Sequence, residues 1–151
     1  MRLHVAAFAL AAMVLGGRVA AADATADQLR SPVGVWKTID DKTGKDRALV
    51  RIYEQDQKFF ARIEHVLTPG DEARICNKCR DERRDQPVLG LVFMRGMSRQ
   101  DDEYRGGDIL DPETGSVYRC KFQLADDGRT LNVRGFIGFS LFGRSQRWLR
   151  Q

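Results

Sequence analysis

The chain has 151 residues, of which 42% are hydrophobic and 30% are charged, and its formal net charge is +4 at pH 7. A chain of this length forms one ordinary domain, which buries roughly two-thirds of its surface and needs no metal or disulfide to fold. Charges of both signs are mixed along the sequence, which excludes the strongly basic footprint of a nucleic-acid-binding protein.

Residues 1–22 are typical of a secretory signal peptide. Arg2 precedes an uncharged apolar run over 5–17, and Ala20 and Ala22 supply the small residues that signal peptidase requires. The run is shorter than the roughly 20 residues that cross a bilayer, so we expect no membrane-spanning segment. We predict cleavage near Ala22 and a periplasmic or secreted protein. Because residues 1–22 carry two arginines and no acid, cleavage leaves 23 basic and 21 acidic residues.

A flexible segment over residues 23–32 and one domain over 33–151 are predicted to follow. Turn signals such as "DDKTGKD", "DPETG" and "DDG" separate runs that are rich in β-branched and aromatic residues. The runs predict eight strands, at 33–39, 47–54, 58–67, 88–96, 103–110, 116–125, 129–137 and 144–150. No window in the domain shows a sustained helical stripe, so the chain is predicted to be all-β.

Several of these runs alternate apolar and polar residues, which indicates an antiparallel sheet with one solvated face. The predicted inward residues are Phe59, Ala61, Ile63, His65 and Leu67 in one run, and Tyr118, Cys120, Phe122 and Leu124 in another. About eight such strands close most simply as an up-and-down barrel, which leaves no edge strand, and a two-sheet sandwich is the alternative. Gly106 and Gly107 predict a bulge or a sharp bend.

The start of the first predicted strand reads "GVWKTID". Gly34, one spacer and Trp36 at this place resemble the G-x-W signature of the calycin superfamily, which includes the lipocalins. The resemblance implies that Trp36 plugs the closed end of the barrel, under a basic residue from the last strand. That strand reads "GRSQRWLR", so Arg144, Arg147 and Arg150 are candidates, with Arg147 and Arg150 assigned to the plug. An arginine over tryptophan is a cation–π contact, and its role is structural.

Longer blocks across the domain resemble one bacterial family. They are "GVWKTIDDKTGKDRALVRIYE", "CNKC", "PVLGLVFMRGM", "GGDILDPETGSVYRC" and "LNVRGFIGFSLFGRSQRW". In this order they are similar to the family catalogued as domain of unknown function 2147, over about residues 33–150. The resemblance implies an exported small β-barrel of calycin-like shape. It implies no activity, because the family has no established one.

Cys76 and Cys79 lie in a charged segment that reads "RICNKCRDERRDQP". In an oxidising compartment we expect a disulfide between them, with a bridge to Cys120 as an alternative. A zinc site completed by Cys120 and His65 is a second alternative, although a second CxxC, which would complete a four-ligand site, is absent. A thioredoxin-like redox site lacks its strand-to-helix setting. We therefore predict no metal and no cofactor.

The sequence contains no catalytic constellation, and the chain is predicted not to be an enzyme. An eight-stranded barrel holds one small ligand or is filled by side chains, so we predict a binding module for a small apolar or amphipathic ligand. The candidate binding residues are His65, Tyr118, Arg134 and Arg144. The alternative is a packed barrel that contacts another envelope protein through the apolar residues Phe136, Phe139, Leu141 and Phe142.

Overall fold

The computed structural model describes residue 26 and residues 28–125, 127–139 and 141–151. Eight strands follow one another: β1 (Gly34–Ile39), β2 (Asp46–Gln55), β3 (Lys58–Val66), β4 (Val92–Gln100), β5 (Glu103–Asp111), β6 (Ser116–Leu124), β7 (Thr130–Phe136) and β8 (Gly143–Arg150). Each pairs antiparallel with the next, and β8 pairs back with β1, so the barrel is closed. The predicted up-and-down barrel is confirmed. No helix within the described ranges is long and apolar enough to cross a membrane.

The fourth strand is the one whose position was wrong in the prediction. Residues 88–91 were expected to begin it, but Gly90 has φ +86° and the Leu91 amide donates to the Val88 carbonyl at 3.2 Å, so these residues form a turn. Val88 and Leu91 are buried there. The strand then continues through Gly96 to Gln100, and its register against β3 shifts between Met94 and Met97. Gly96 has φ +70° there, a conformation that a residue without a Cβ adopts readily.

The predicted bulge at the paired glycines is confirmed. The register between β5 and β6 shifts between Arg105 and Gly107, and Gly106 has φ +88°. A Cβ at Gly107 would lie 2.1 Å from the Arg95 carbonyl oxygen of β4. Only a glycine at position 107 therefore allows β4 and β5 to approach this closely beside the bulge.

One half of the barrel interior is filled by aromatic side chains. Tyr104 contacts Phe59 edge to face, with 4.9 Å between ring centroids, and stacks on Phe122 at 4.6 Å. Trp36 is fully buried beside them. These residues lie near the ends of the strands where β2 passes to β3, β4 to β5 and β6 to β7, and we call this half the closed end. Burying several aromatic residues in mutual contact stabilises this end of the barrel.

Residues 28–33 pack across the closed end. Pro32 is fully buried, and its carbonyl accepts a hydrogen bond of 2.8 Å from Trp36 Nε1. A Cβ at Gly128 would lie 2.2 Å from the Leu29 carbonyl oxygen, so the segment touches the turn between β6 and β7. The segment 23–32 was predicted to be flexible, but its last residues, from 28 onward, pack against the barrel. The predicted signal peptide, residues 1–22, lies outside the described residues.

Candidate functional site

The closed end is sealed by an arginine over a tryptophan. The guanidinium carbon of Arg150 lies 4.3 Å from the ring centroid of Trp36. Arg150 Nε donates to the Gly128 carbonyl at 2.7 Å and Nη1 donates to the Val33 carbonyl at 3.0 Å. A Cβ at Gly34 would lie 2.9 Å from Nη1, so the glycine gives the arginine its space. Arg147 is exposed and takes no part in the plug, because alternation along β8 directs it outward.

The other half of the barrel encloses a cavity of about 320 Å³. It opens at the end of the barrel where the chain passes from β1 to β2, from β3 to β4, from β5 to β6 and from β7 to β8, and we call this the open end. Its walls are largely apolar, and Trp148 and Phe93, whose rings lie 5.9 Å apart, are among the aromatic residues lining it. Its volume is near the lower end of the range found for small-molecule sites.

Two of the four predicted ligand-binding residues line this cavity. Tyr118 of β6 contributes to its wall, and Arg144 lies at its rim, paired with the Asp41 carboxylate of the loop between β1 and β2. Arg134 does not line the cavity, because side chains alternate along β7 and its neighbours Val133 and Gly135 are the ones on the cavity side. Instead Arg134 donates to Ser145 Oγ at 2.9 Å and to the Leu141 carbonyl at 3.2 Å. Its guanidinium therefore braces the loop between β7 and β8 from outside.

His65 was predicted to face inward with Ile63, and this prediction is wrong. In the pairing of β2 with β3, Leu49 lies opposite His65 and Val50 lies opposite Ile63, so Glu64 is an extra residue in β3. A bulge of one residue reverses the alternation beyond it. His65 is consequently exposed on the outer surface, and Val66 takes the inward position that lines the cavity.

Two arginines that the sequence analysis did not single out stand at the open end. Arg47 forms ion pairs with Asp40 at 3.4 Å and with Glu113. Arg74 Nη1 contacts Asp71 Oδ2 at 3.1 Å and Glu113 Oε1 at 3.5 Å. Arg74 Nε is buried and has no hydrogen-bond acceptor among the described residues. A buried donor of this kind costs about 1–3 kcal/mol, so the polar groups of this rim are not all satisfied by the described part of the protein.

The long loop over 67–91 is fastened to the barrel at the open end. A disulfide joins Cys76 to Cys79, and both residues are buried. Cys76 Sγ lies 3.7 Å from the Pro112 carbonyl oxygen, in the turn between β5 and β6. A Cβ at Gly115 would lie 2.0 Å from the Lys78 carbonyl oxygen, so loop and turn are in direct backbone contact. The loop is therefore a fixed part of the rim.

Residues 34–150 match the family model described as uncharacterized protein conserved in bacteria (DUF2147). The chain belongs to the DUF2147 family. A comparison with curated proteins found no match. Among solved structures, this DUF2147 barrel is similar to protein HP1028 from Helicobacter pylori, which is described as belonging to the lipocalin family, with a TM-score of 0.70 and 19% identity over 80% of this chain and 83% of that one. The likeness confirms a lipocalin-like fold.

The thiols of the DUF2147 barrel give a direct chemical prediction. Cys120 is buried, lies 3.7 Å from Met94 Sδ, and burial raises its pKa to about 12, so it should not react in the folded protein. Mass spectrometry after alkylation should find no label on native protein, one after unfolding without reductant, and three after unfolding with reductant. Three labels without reductant would mean that no disulfide is present, and none would mean that Cys120 is not a free thiol.

A buried arginine ties the end of the same loop to the barrel wall. Arg83 is 5% exposed, and its Nη2 lies 2.5 Å from Asp81 Oδ2 and its Nη1 3.8 Å from Asp108 Oδ1 of β5. Arg95 of β4 lies 3.5 Å from the same Asp81 oxygen. The hydrogen bonds from Arg83 lower the pKa of Asp81 to about 2. The Asp81 carboxylate is thus held in its charged form by two cations.

Replacing Asp81 by asparagine should remove about 2 kcal/mol of stability at neutral pH. Because the pKa of Asp81 is lowered on folding, its contribution is complete above about pH 4 and is lost as the pH falls toward 2. The difference in unfolding free energy between wild type and Asp81→Asn, measured with urea, should therefore shrink over that interval. Asp85→Asn, at a side chain 63% exposed, is the control and should change stability little. A difference that is constant from pH 6 to pH 2.5 would contradict the assignment.

Proposed function

We propose that the protein is an exported binding module that holds one small amphipathic ligand in the open half of its barrel. The observation that carries the proposal is the cavity of about 320 Å³, walled by apolar side chains and rimmed by charged ones. A ligand whose apolar part fills such a site and whose polar end stays at the rim loses little hydration. Export is supported by the features of residues 1–22 and by the disulfide, which persists in oxidising compartments.

The polar end of the ligand is proposed to carry a hydrogen-bond acceptor. Arg47 and Arg74 both line the cavity, and a carbonyl, hydroxyl or carboxylate oxygen of the ligand would accept a hydrogen bond from a guanidinium there. Arg47 and Arg74 are otherwise balanced by Asp40, Asp71 and Glu113, so the rim does not demand a highly charged ligand. A single-chain amphiphile with one oxygen-bearing head group fits both features. A fully packed barrel, the alternative from the sequence, is disfavoured by the cavity.

The intrinsic fluorescence of the chain offers a test of this proposal. Of the two tryptophans, Trp148 lines the cavity and Trp36 lies at the closed end under Arg150. Titration with dodecanoate should change the emission until it saturates, whereas butyrate, which has the same head group and too short a tail, should not change it.

Arg74→Met should weaken dodecanoate binding by about tenfold through the loss of a charge-assisted hydrogen bond, and Arg84→Met, at an exposed residue of the same loop, should not. Identical titrations for dodecanoate and butyrate would contradict the proposal.

A further inference from the structure

The loop between β7 and β8 projects an unusual amount of apolar surface. Ile137, Phe139, Leu141 and Phe142 are 67%, 81%, 84% and 76% exposed. The stretch "GFIGFSLFG" over 135–143 contains no charged residue. Exposures this high mean that the side chains stand away from the barrel as a convex tip. We call Ile137, Phe139, Leu141 and Phe142 the apolar tip.

The strands that carry and flank this tip are basic. Together β6, β7 and β8 hold no aspartate or glutamate, and their six cations are Arg119, Lys121, Arg134, Arg144, Arg147 and Arg150. Four of these, at 119, 121, 134 and 147, alternate with residues that are buried or line the cavity and so belong to the outer surface. We call them the basic wall. Arg119 pairs in register with Phe136, immediately before the tip, and Lys121 with Arg134.

The acids nearest to the basic wall leave it cationic. Lys121 forms an ion pair with Glu103 of β5 at 2.8 Å, at the edge of the wall. Arg119 lies opposite Asp108 in the register of β5 and β6, and Asp108 is already within 3.4 Å of Arg95 Nε. Arg134 is engaged with Ser145 and with the carbonyl of Leu141. The basic wall therefore keeps an excess of cations, although the net charge of the whole chain is small.

We infer that the apolar tip and the basic wall form a docking surface for an anionic lipid bilayer. A convex apolar tip enters the boundary between head groups and acyl chains without needing a complementary pocket, whereas a protein partner would need one. Cations beside such a tip lie at head-group level, where each Lys or Arg adds attraction to anionic lipid that decays within a Debye length. Charge complementarity and convexity together favour the bilayer over a second protein.

Docking of this kind would bring the cavity to the membrane. Ile137 and Phe142 belong to the tip and also line the cavity, so the apolar surface is continuous from the tip to the interior. A single-chain amphiphile could then pass between bilayer and barrel without crossing bulk water. This exchange rests on the proposed function, whereas docking itself does not, so a barrel that docks but binds no amphiphile would overturn only the proposed function.

Vesicle sedimentation tests the docking surface. The anionic vesicles contain equal parts phosphatidylcholine and phosphatidylglycerol, and the neutral vesicles contain phosphatidylcholine alone. Mass spectrometry first confirms that wild type and variants begin at the same residue. Wild-type protein should sediment with the anionic vesicles at low salt, and Phe139→Ser with Leu141→Ser should weaken partitioning by about tenfold or more. The matched control, Ile75→Ser with Leu89→Ser, removes apolar residues that are 45% and 49% exposed on another loop and should bind as wild type does.

A double arginine variant tests the basic wall, and a tryptophan placed in the apolar tip reports whether the tip enters the bilayer. Arg119→Gln with Arg147→Gln should lower partitioning to anionic vesicles by about fivefold or more at low salt and leave phosphatidylcholine vesicles unaffected. Trp at position 139 (F139W) should shift its emission to the blue on anionic vesicles and be quenched by brominated lipid, while L89W should not. The inference would be overturned if wild-type protein stayed in the supernatant with anionic vesicles. It would also be overturned if the protein formed a dimer in solution that the Phe139→Ser and Leu141→Ser changes dissociated.

Discussion

Gly115→Ala is expected to destabilise the protein by about 3 kcal/mol and to release the long loop at the open end. Gly115 has φ +70°, which costs an L-residue about 1–2 kcal/mol. The new Cβ would also lie 2.0 Å from the Lys78 carbonyl oxygen and 2.9 Å from the Cys79 amide nitrogen, and overpacking of this kind costs about 1–3 kcal/mol. Backbone on both sides leaves no flexible side chain to move aside, so the loop must shift.

Gly44→Ala is the matched control for this prediction. Gly44 has the same φ of +70°, yet nothing lies within 4 Å of a Cβ placed there. It should therefore show the backbone cost alone. Urea unfolding gives the two free energies, and limited trypsin digestion, which cleaves after Lys78 and Arg80, reports whether the loop has come away from the turn. Equal destabilisation by the two substitutions, with no gain in cleavage for Gly115→Ala, would show that loop and turn are not in contact.

Arg150→Ala is expected to cost about 3 kcal/mol and to lower the melting temperature by about 10 °C. The substitution removes the cation–π contact with Trp36 and the hydrogen bonds from the guanidinium to the carbonyl oxygens of Ser31, Val33 and Gly128. Those carbonyls hold the lead-in segment and the turn between β6 and β7, so both lose their shared anchor. Arg150→Lys should recover little, because an ammonium group cannot reproduce the planar fork.

Arg147→Ala tests whether the effect belongs to the plug rather than to arginines in β8. Arg147 is exposed on the same strand, three residues away, so its loss should change stability by less than about 0.5 kcal/mol. Thermal unfolding followed by near-ultraviolet circular dichroism measures both variants and reports the packing of Trp36. An Arg150→Ala protein as stable as the Arg147→Ala protein would mean that the closed end does not depend on this arginine.

The barrel was predictable because its signals are local. Period-two alternation and evenly spaced turns identify eight strands, and Gly106–Gly107 marks the bulge in β5 because only glycine fits there. The G-x-W pattern led to Trp36, and the last strand supplied the arginine. Among Arg144, Arg147 and Arg150, only the register of β8 against β1, in which Trp36 lies opposite Arg150, decides which one reaches the ring.

Features that depend on pairing between strands were not predictable in the same way. His65 was assigned inward because a strict alternation was continued through Glu64, whereas the mismatch with β2 inserts one residue there. The start of the fourth strand was misplaced because Val88 and Leu91 are as apolar as strand residues although they pack in a turn. The bulge at Glu64 leaves no mark within its own segment, whereas the turn contains Gly90, a signal that the apolar residues on either side of it outweighed.

The open end is assembled from distant parts of the sequence. Arg47, Arg74 and Glu113 meet because three loops converge at one end of the barrel. The basic wall, by contrast, comes from one stretch of sequence, since the only acids between residues 116 and 150 are Asp126 and Asp127. The small net charge of the whole chain concealed this excess of cations, which β6 to β8 place on neighbouring strands.

The central claim, that the open half of the barrel holds a small ligand, is tested most directly by native mass spectrometry. Wild-type protein, equilibrated with a lipid extract and freed of excess, should appear with a small molecule of defined mass bound. Ala48→Trp, which projects into the cavity, should appear without it, and Leu49→Trp, the next residue along β2 and not part of the cavity lining, should retain it. Wild-type protein seen only at its own chain mass, or a ligand that Ala48→Trp binds equally well, would contradict the account.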